Sequence, residues 1–211
     1  MVKYKCKDHD RGCINLYSRL KKQLEFLIEV DKMKSVLRQT LLADGSKREN
    51  DAEHSWHFAL MAMVLYEYAD QTKVNLFRVL KMALIHDLVE VYAGDTFAYD
   101  DKGNADKEMR EEEAAQKLFS LLPEDQHHEI RNLWIEFDQM ETEDAKYAAA
   151  IDRLQPFINN YLTQGHTWKQ GNVTSDKVYK RMDMVRIAAP ALWPFVTETI
   201  GIAIEKGYLK A

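Results

Sequence analysis

An all-α domain is predicted by three features of the sequence. Only four prolines and eight glycines interrupt 211 residues, so helix breakers are sparse. Apolar residues recur at helical spacing along nearly the whole chain, whereas strand-type alternation is scarce. Start and stop signals bracket the periodic segments. An apolar fraction of 46% and a charged fraction of 30% suit one globular domain with a substantial core. The formal net charge of −5 argues against binding a nucleic-acid polymer, which needs a dense basic surface. It leaves room for a small phosphorylated ligand held by local cations. No signal-type or membrane-spanning apolar run occurs, so a cytoplasmic protein without a membrane partner is expected.

The elements follow in chain order. In CKDHDRGC, Cys6, His9 and Cys13 lack the paired ligand spacing of a zinc knuckle. This stretch reads as part of a polar tail, residues 1–14, ahead of a single domain over 15–211. Asn15 to about Arg38 reads as an amphipathic helix, with Leu16, Leu20, Leu24, Phe26, Leu27 and Met33 among its apolar positions. LLADGSKREND reads as a loop turning at Asp44-Gly45. Asp51 is the expected N-cap of a second helix through EHSWHFALMAMVLYEYA. A third helix, about Leu76–Tyr92, is apolar nearly all round and stops at Ala93-Gly94. After a loop, DKEMREEEAAQKLFSLL begins acidic and ends apolar, as carboxylates at a helix N-terminus favour. Further helices are expected near 124–137, 143–162, 177–188 and 191–205.

Within the third helix, ALIHDLVEV places His86, Asp87 and Glu90 among apolar residues. Unpaired charges there are costly to bury. A divalent cation compensates them economically, because imidazole and carboxylate are both good ligands. Further ligands must then come from elsewhere. His54 in AEHSWHFALMA and Asp152 in AKYAAAIDRLQPF show the same oddity, a polar residue in an apolar helical context. Together they make a two-histidine, two-carboxylate set, with water free to fill other positions. Pro156 lacks the N–H that would bond the Asp152 carbonyl, so a kink is expected there.

The segments RENDAEHSWHFAL, ALIHDLVEVYAGDT and AIDRLQP, in that order, resemble the HD-domain metal-dependent phosphohydrolases, and within them the branch of 5′-deoxynucleotidases. The resemblance runs from about Arg38 to the C-terminal region. It implies an HD-type helical bundle and one divalent metal, held by His54, His86, Asp87 and Asp152. Manganese or cobalt commonly supports activity in this family, with zinc, nickel, iron or magnesium as further options. It also implies Glu90 beside metal and substrate, Asp95 orienting or activating water, and an arginine that binds the nucleotide phosphate. Arg38 in VLRQTLL is the candidate, although Gln39 stands where the family pattern has tryptophan, and Arg48 in KREN is a second cation. A homodimer is implied as well.

Each residue has a plainer reading. His86 and Asp87 form a satisfied buried pair, Glu90 bonds a loop, Asp95 is a turn residue after Gly94, and Arg38 makes an ordinary salt bridge. His57 shares a helix face with His54 and reads as packing or support for the ligand shell. The REEEAA run reads as a solvated helix start. The expected activity is removal of phosphate from (deoxy)ribonucleoside 5′-monophosphates. The alternatives are pyrophosphate or diester cleavage of a signalling nucleotide, disfavoured because Val91 follows Glu90 where an acidic pair is usual, and a non-catalytic metal-containing nucleotide sensor.

Overall fold

The helical expectation is met by a computed structural model that describes residues 11–211. Cys6 and His9 lie outside the described residues, as does most of the polar tail. In order, the chain forms α1 (Arg11–Val30), a 3-10 turn (Asp31–Ser35), β1 (Leu37–Leu41), β2 (Arg48–Asn50) and α2 (Asp51–Val64). A 3-10 turn at Tyr66–Tyr68 leads to α3 (Leu76–Ile85), α4 (Glu90–Ala93), α5 (Lys107–Phe119), α6 (Glu124–Gln139) and α7 (Glu143–Leu162). Then come α8 (His166–Gln170), α9 (Ser175–Ala188), a short 3-10 turn, and α10 (Trp193–Glu205). Among the described residues no helix is long and apolar enough to cross a membrane.

The first helix departs from expectation at its C-terminal end. It is helical from the first described residue, Arg11, to Val30, short of Arg38, because a 3-10 turn and the extended Val36 lead into a strand. Its apolar face is also not core: Leu16, Leu20, Leu24 and Leu27 are exposed, and only Phe26 and Met33 of the expected set are buried. The expected loop turns out to be a β-hairpin. β1 and β2 pair antiparallel, Leu37 opposite Asn50 and Leu41 opposite Arg48, with an irregularity between. Gly45 closes the turn with φ +72°, a left-handed backbone that glycine adopts without strain. The sequence hides these strands because they are short and only half buried, so alternation never extends over enough residues to register.

α2 starts one residue from the expected place. Asn50 is the N-cap: its side chain accepts from the Glu53 N–H at 2.9 Å, and Glu53 accepts in return from the Asn50 N–H at 3.1 Å. This capping box satisfies two orphan donors and leaves Asp51 free to turn inward, where it is fully buried.

α7 is the axis of the bundle, packed by α2, α3, α6 and α9. Ala148, Ala149 and Ala150 let neighbours approach closely, while Tyr147, Ile151, Leu154 and Phe157 fill the space between them. Phe58, Val79, Met82, Leu118, Phe119, Met182 and Ile200 complete the surrounding core. The helix runs across Pro156 to Leu162, so the missing N–H at residue 156 does not end it; packing on several sides holds it together.

α3 is shorter than periodicity implies. It ends at Ile85, with His86 as C-cap. The chain then tightens: Leu88 N–H bonds Ile85 at 3.1 Å and Glu90 N–H bonds Asp87 at 2.9 Å, three-residue spacings in place of four. One turn later Gly94, at φ +76°, releases the chain into the loop carrying Asp95.

Candidate metal centre

Three helices and the α3–α4 turn direct polar groups to one buried point. His54 from α2 is fully buried, His86 from the end of α3 nearly so, and Asp152 comes from the middle of α7. One ligand atom from each lies within 4.8 Å of the other two. His54 Nε2 is 2.9 Å from Asp152 Oδ1, and His86 Nε2 is 3.6 Å from the same oxygen. Asp87 Oδ2 is 3.0 Å from His86 Nε2 and 3.9 Å from His54 Nε2.

The outward nitrogens of both imidazoles are tied back. His54 Nδ1 faces Gln155 Oε1 at 3.0 Å, and His86 Nδ1 faces the Ala83 carbonyl at 3.0 Å. Each acceptor fixes a proton on Nδ1 and leaves the Nε2 lone pair directed at the shared point. His86 Nε2 is buried without an aligned hydrogen bond although Asp87 Oδ2 is close. Such a short but misaligned approach suits atoms that converge on a common cation. Both histidines, Asp87 and Asp152 therefore fit a divalent metal by donor chemistry and by orientation.

A supporting chain stands behind His54. The Gln155 amide donates to Glu49 Oε1 at 2.6 Å and to His57 Nδ1 at 3.2 Å, while its carbonyl oxygen accepts from His54. Hydrogen bonds of this kind orient ligating imidazoles. His57 thus supports the ligand shell and does not join it. Phe58 and Phe137 pack on the His86 ring, with centroids 5.2 and 5.0 Å away.

A second acidic group adjoins the first. Oxygens of Asp51, Glu90 and Asp95 lie within 4.8 Å of one another. Glu90 is pushed well up by burial and then by the charges of Asp87 and Asp51. Asp51 is pushed up to about 7, again first by burial and next by Asp87. Asp95 is raised for the same reasons. Arg38 offsets this charge. Its Nη1 is 2.6 Å from Asp87 Oδ2 and 3.5 Å from Asp51 Oδ1, and its Nε is 3.8 Å from Glu49 Oε2. Burial works against its proton, but Asp87, Asp95, Glu90 and Asp152 outweigh burial and hold it charged.

The expected site residues therefore gather in one cavity, with one exception. Arg38, His86, Asp87, Glu90, Asp95 and Asp152 line it, and His54 stands behind. Arg48 does not line it. Its guanidinium donates to the carbonyls of Arg38 and of Leu37, the latter at 2.7 Å, so it braces the strand that carries Arg38. Four residues escaped sequence reading: Glu49, Asp51, Gln155 and Lys107. Glu49 and Asp51 flank the Asn50 cap, where acidic residues are ordinary in a sequence. Gln155 lies three residues after Asp152, a spacing that shares its helix face. Lys107 lines the cavity from the first turn of α5 and pairs with Glu111 at 3.4 Å. That acidic helix start is thus partly a cavity wall.

A helical bundle that brings histidine and aspartate ligands from separate helices to one buried, acid-rich point defines a metal-binding protein of the His-Asp class. The HD domain family matches residues 30–193, and the chain belongs to that family. A solved structure described as a predicted metal-dependent phosphohydrolase from Magnetospirillum magnetotacticum MS-1 is 50% identical, covering 92% of this chain and 97% of that one, with a TM-score of 0.88. Among curated relatives, 5′-deoxynucleotidase HDDC2 of Mus musculus is 33% identical over 136 residues, 64% of this chain and 66% of that protein. The protein of the same name from Homo sapiens is 32% identical over 136 residues, 64% and 65% of the two chains. The chain thus matches just under two thirds of the length of these curated relatives.

Two outcomes follow from the geometry. Gln155→Leu frees the His54 ring and is expected to weaken metal affinity by about 10- to 100-fold, measured by chelator competition; unchanged affinity would remove Gln155 from the supporting chain. In chelator-treated protein, Glu49 is raised from 4.5 to about 7, chiefly by burial, and His86 is raised from 6.5 to about 10 by Asp87 and Asp152, which outweigh the opposing effect of burial. Both groups bind protons more tightly when folded. Their stabilising contribution is present at low pH and is lost as pH climbs through those values. The metal-free melting temperature is therefore expected to be higher at pH 6.5 than at pH 8, and a scan showing the reverse would contradict the assigned buried charges.

Proposed function

We propose that the protein is a metal-dependent phosphomonoesterase that removes phosphate from (deoxy)ribonucleoside 5′-monophosphates. The observation that carries this reading is the pairing of tautomer-fixed histidines and aspartates with a buried arginine in one cavity. A metal-ligand set and a phosphate-binding cation are the two requirements of such a reaction. The names of the curated relatives and of the Magnetospirillum structure support the same chemistry. The single domain is read as residues 15–211.

When bound, a divalent ion, manganese or cobalt by preference, supplies Lewis-acid polarisation and a water of lowered pKa. His54, His86, Asp87 and Asp152 would hold it. Arg38 neutralises phosphate charge, and Lys107 adds a cation at the same wall. Glu90, kept protonated by burial and its acidic neighbours, holds a proton for the leaving sugar oxygen. Asp95, on the loop after Gly94, orients the attacking water and accepts its proton. Phe97, Tyr99 and Phe157 give the nucleoside apolar walls.

Nucleotide 5′-monophosphates, with and without the 2′-hydroxyl, are the substrates to test against a series of metals. Metal-dependent phosphate release is expected from wild type. His86→Ala should abolish it. Arg38→Ala should lower kcat/KM by about 100-fold or more, since each ~1.4 kcal/mol of lost charge-assisted binding is tenfold. Absence of metal-dependent release from every nucleotide would overturn the assignment.

The assembly is read as a homodimer. Trp56, Leu60, Met63 and Val64 form an exposed stripe along α2, and Phe77 and Leu84 add to it from the adjoining α3. An apolar face of this kind favours burial against a second copy. Light scattering should report a dimer that Leu60→Glu with Met63→Glu converts to monomer; a monomeric wild type would refute it.

A further inference from the structure

The cavity does not end at the metal centre. Its far wall carries Ala98, Tyr99, Arg153 and Arg181, and the same four residues also line a neighbouring cavity that adds Asp101, Lys177 and Lys180. The two spaces adjoin across the Arg153–Arg181 pair. Asp101 is the carboxylate of this second cavity, and Lys177 already lies 3.2 Å from it.

Neither arginine forms an ion pair among the described residues. Asp152 precedes Arg153 in the chain, but its carboxylate is turned to His54, 2.9 Å away. Arg153 uses its guanidinium weakly, donating to the Arg181 carbonyl at 3.3 Å and to Met140 Sδ at 3.0 Å. Arg181, half-buried, makes no side-chain hydrogen bond or ion pair among the described residues. Two like charges held together in a partly desolvated wall are unfavourable unless an anion joins them. A neutral base oxygen would accept hydrogen bonds but leave the charge standing. A phosphate answers both needs, because its oxygens match the forked guanidinium donors.

We propose that Arg153 and Arg181 bind a second phosphate of the substrate, at the end opposite the phosphate that is hydrolysed. The preferred substrates are then nucleoside 3′,5′-bisphosphates. This assignment rests on the phosphomonoesterase reading above. In the reaction, water oxygen bonds to the 5′-phosphorus and the bond from phosphorus to O5′ breaks. The leaving oxygen takes a proton, and the products are a nucleoside 3′-phosphate and inorganic phosphate. The 3′-phosphate stays on the arginine pair throughout.

The test compares 2′-deoxyadenosine 5′-monophosphate with 2′-deoxyadenosine 3′,5′-bisphosphate on the metal-loaded protein. The bisphosphate is expected to have a kcat/KM higher by about tenfold or more, the effect of one or two charge-assisted hydrogen bonds. In Arg181→Gln that ratio should fall to near one, and Arg181→Lys, which keeps charge without the fork, should restore part of it. Arg181 is the residue to change because its side chain makes no bond that folding needs, and a melting curve checks that the variant is folded. A calorimetric titration with 2′-deoxyadenosine 3′-monophosphate against 2′-deoxyadenosine needs no turnover. The 3′-phosphate should bind about tenfold tighter, less so at high salt, and Arg181→Gln should abolish the difference. Equal affinities in the titration, or an Arg181→Gln variant that lowers kcat/KM for both nucleotides alike, would overturn the proposal. Hydrolysis of the monophosphate with no titration difference would sink the second site alone. A titration difference without hydrolysis of either nucleotide would sink the activity alone.

Discussion

Everything in this fold answers to one electrostatic problem, the crowding of Asp51, Asp87, Glu90, Asp95 and Asp152 around one largely buried point. Charges so placed repel one another and have lost most of their solvation. Arg38, 2.6 Å from Asp87, is the cation at the centre, and Lys107 stands at the edge. The two cations on this side of the cavity do not neutralise five acids, so the site favours protonated carboxylates, a bound metal, or both. The raised positions of Asp51, Glu90 and Asp95 are the response of the side chains to that imbalance. The cavity is therefore poised to take a divalent ion and to hold protons.

The scaffold is built to keep these groups from separating. α7 lies at the axis, and its alanines allow α2 and α3 to bring histidine rings to the helix surface beside Asp152. The break after Ile85 serves the same end. A straight helix over 76–92 would carry Glu90 one turn above His86 on a common face. The tightened turn instead lets Asp87 meet Arg38 while Glu90 meets Asp51 and Asp95. The hairpin supplies Arg38, and Arg48 clamps the backbone of that strand, so the central cation rests on a braced element.

Much of the helical frame was legible because long periodic segments carry the strongest sequence signal. The helices at 124–139, 143–162 and 175–188 appear close to where periodicity and caps place them. The convergence of His54, His86, Asp87 and Asp152 was legible for another reason: each is a polar residue in an apolar helical setting. What escaped notice was local backbone detail. The hairpin is too short for alternation to show, and the N-cap shifted by one residue, which turned Asp51 from a cap into a buried acid beside Glu90 and Asp95. The leucine face of α1 is exposed; periodicity records amphipathicity and not what a face packs against.

The sequence by itself determined the fold class, the run of helices and the identity of the metal-ligand candidates. These depend on residue type and spacing along one segment at a time. Only the tertiary structure decided which nitrogen of each histidine faces the centre, that Gln155 and Glu49 hold His54, and that Arg38 enters the cavity while Arg48 does not. Only the tertiary structure could also bring Arg153 and Arg181 together on one cavity wall. Each of these depends on distances between residues far apart in the chain, and those distances are set by packing around α7.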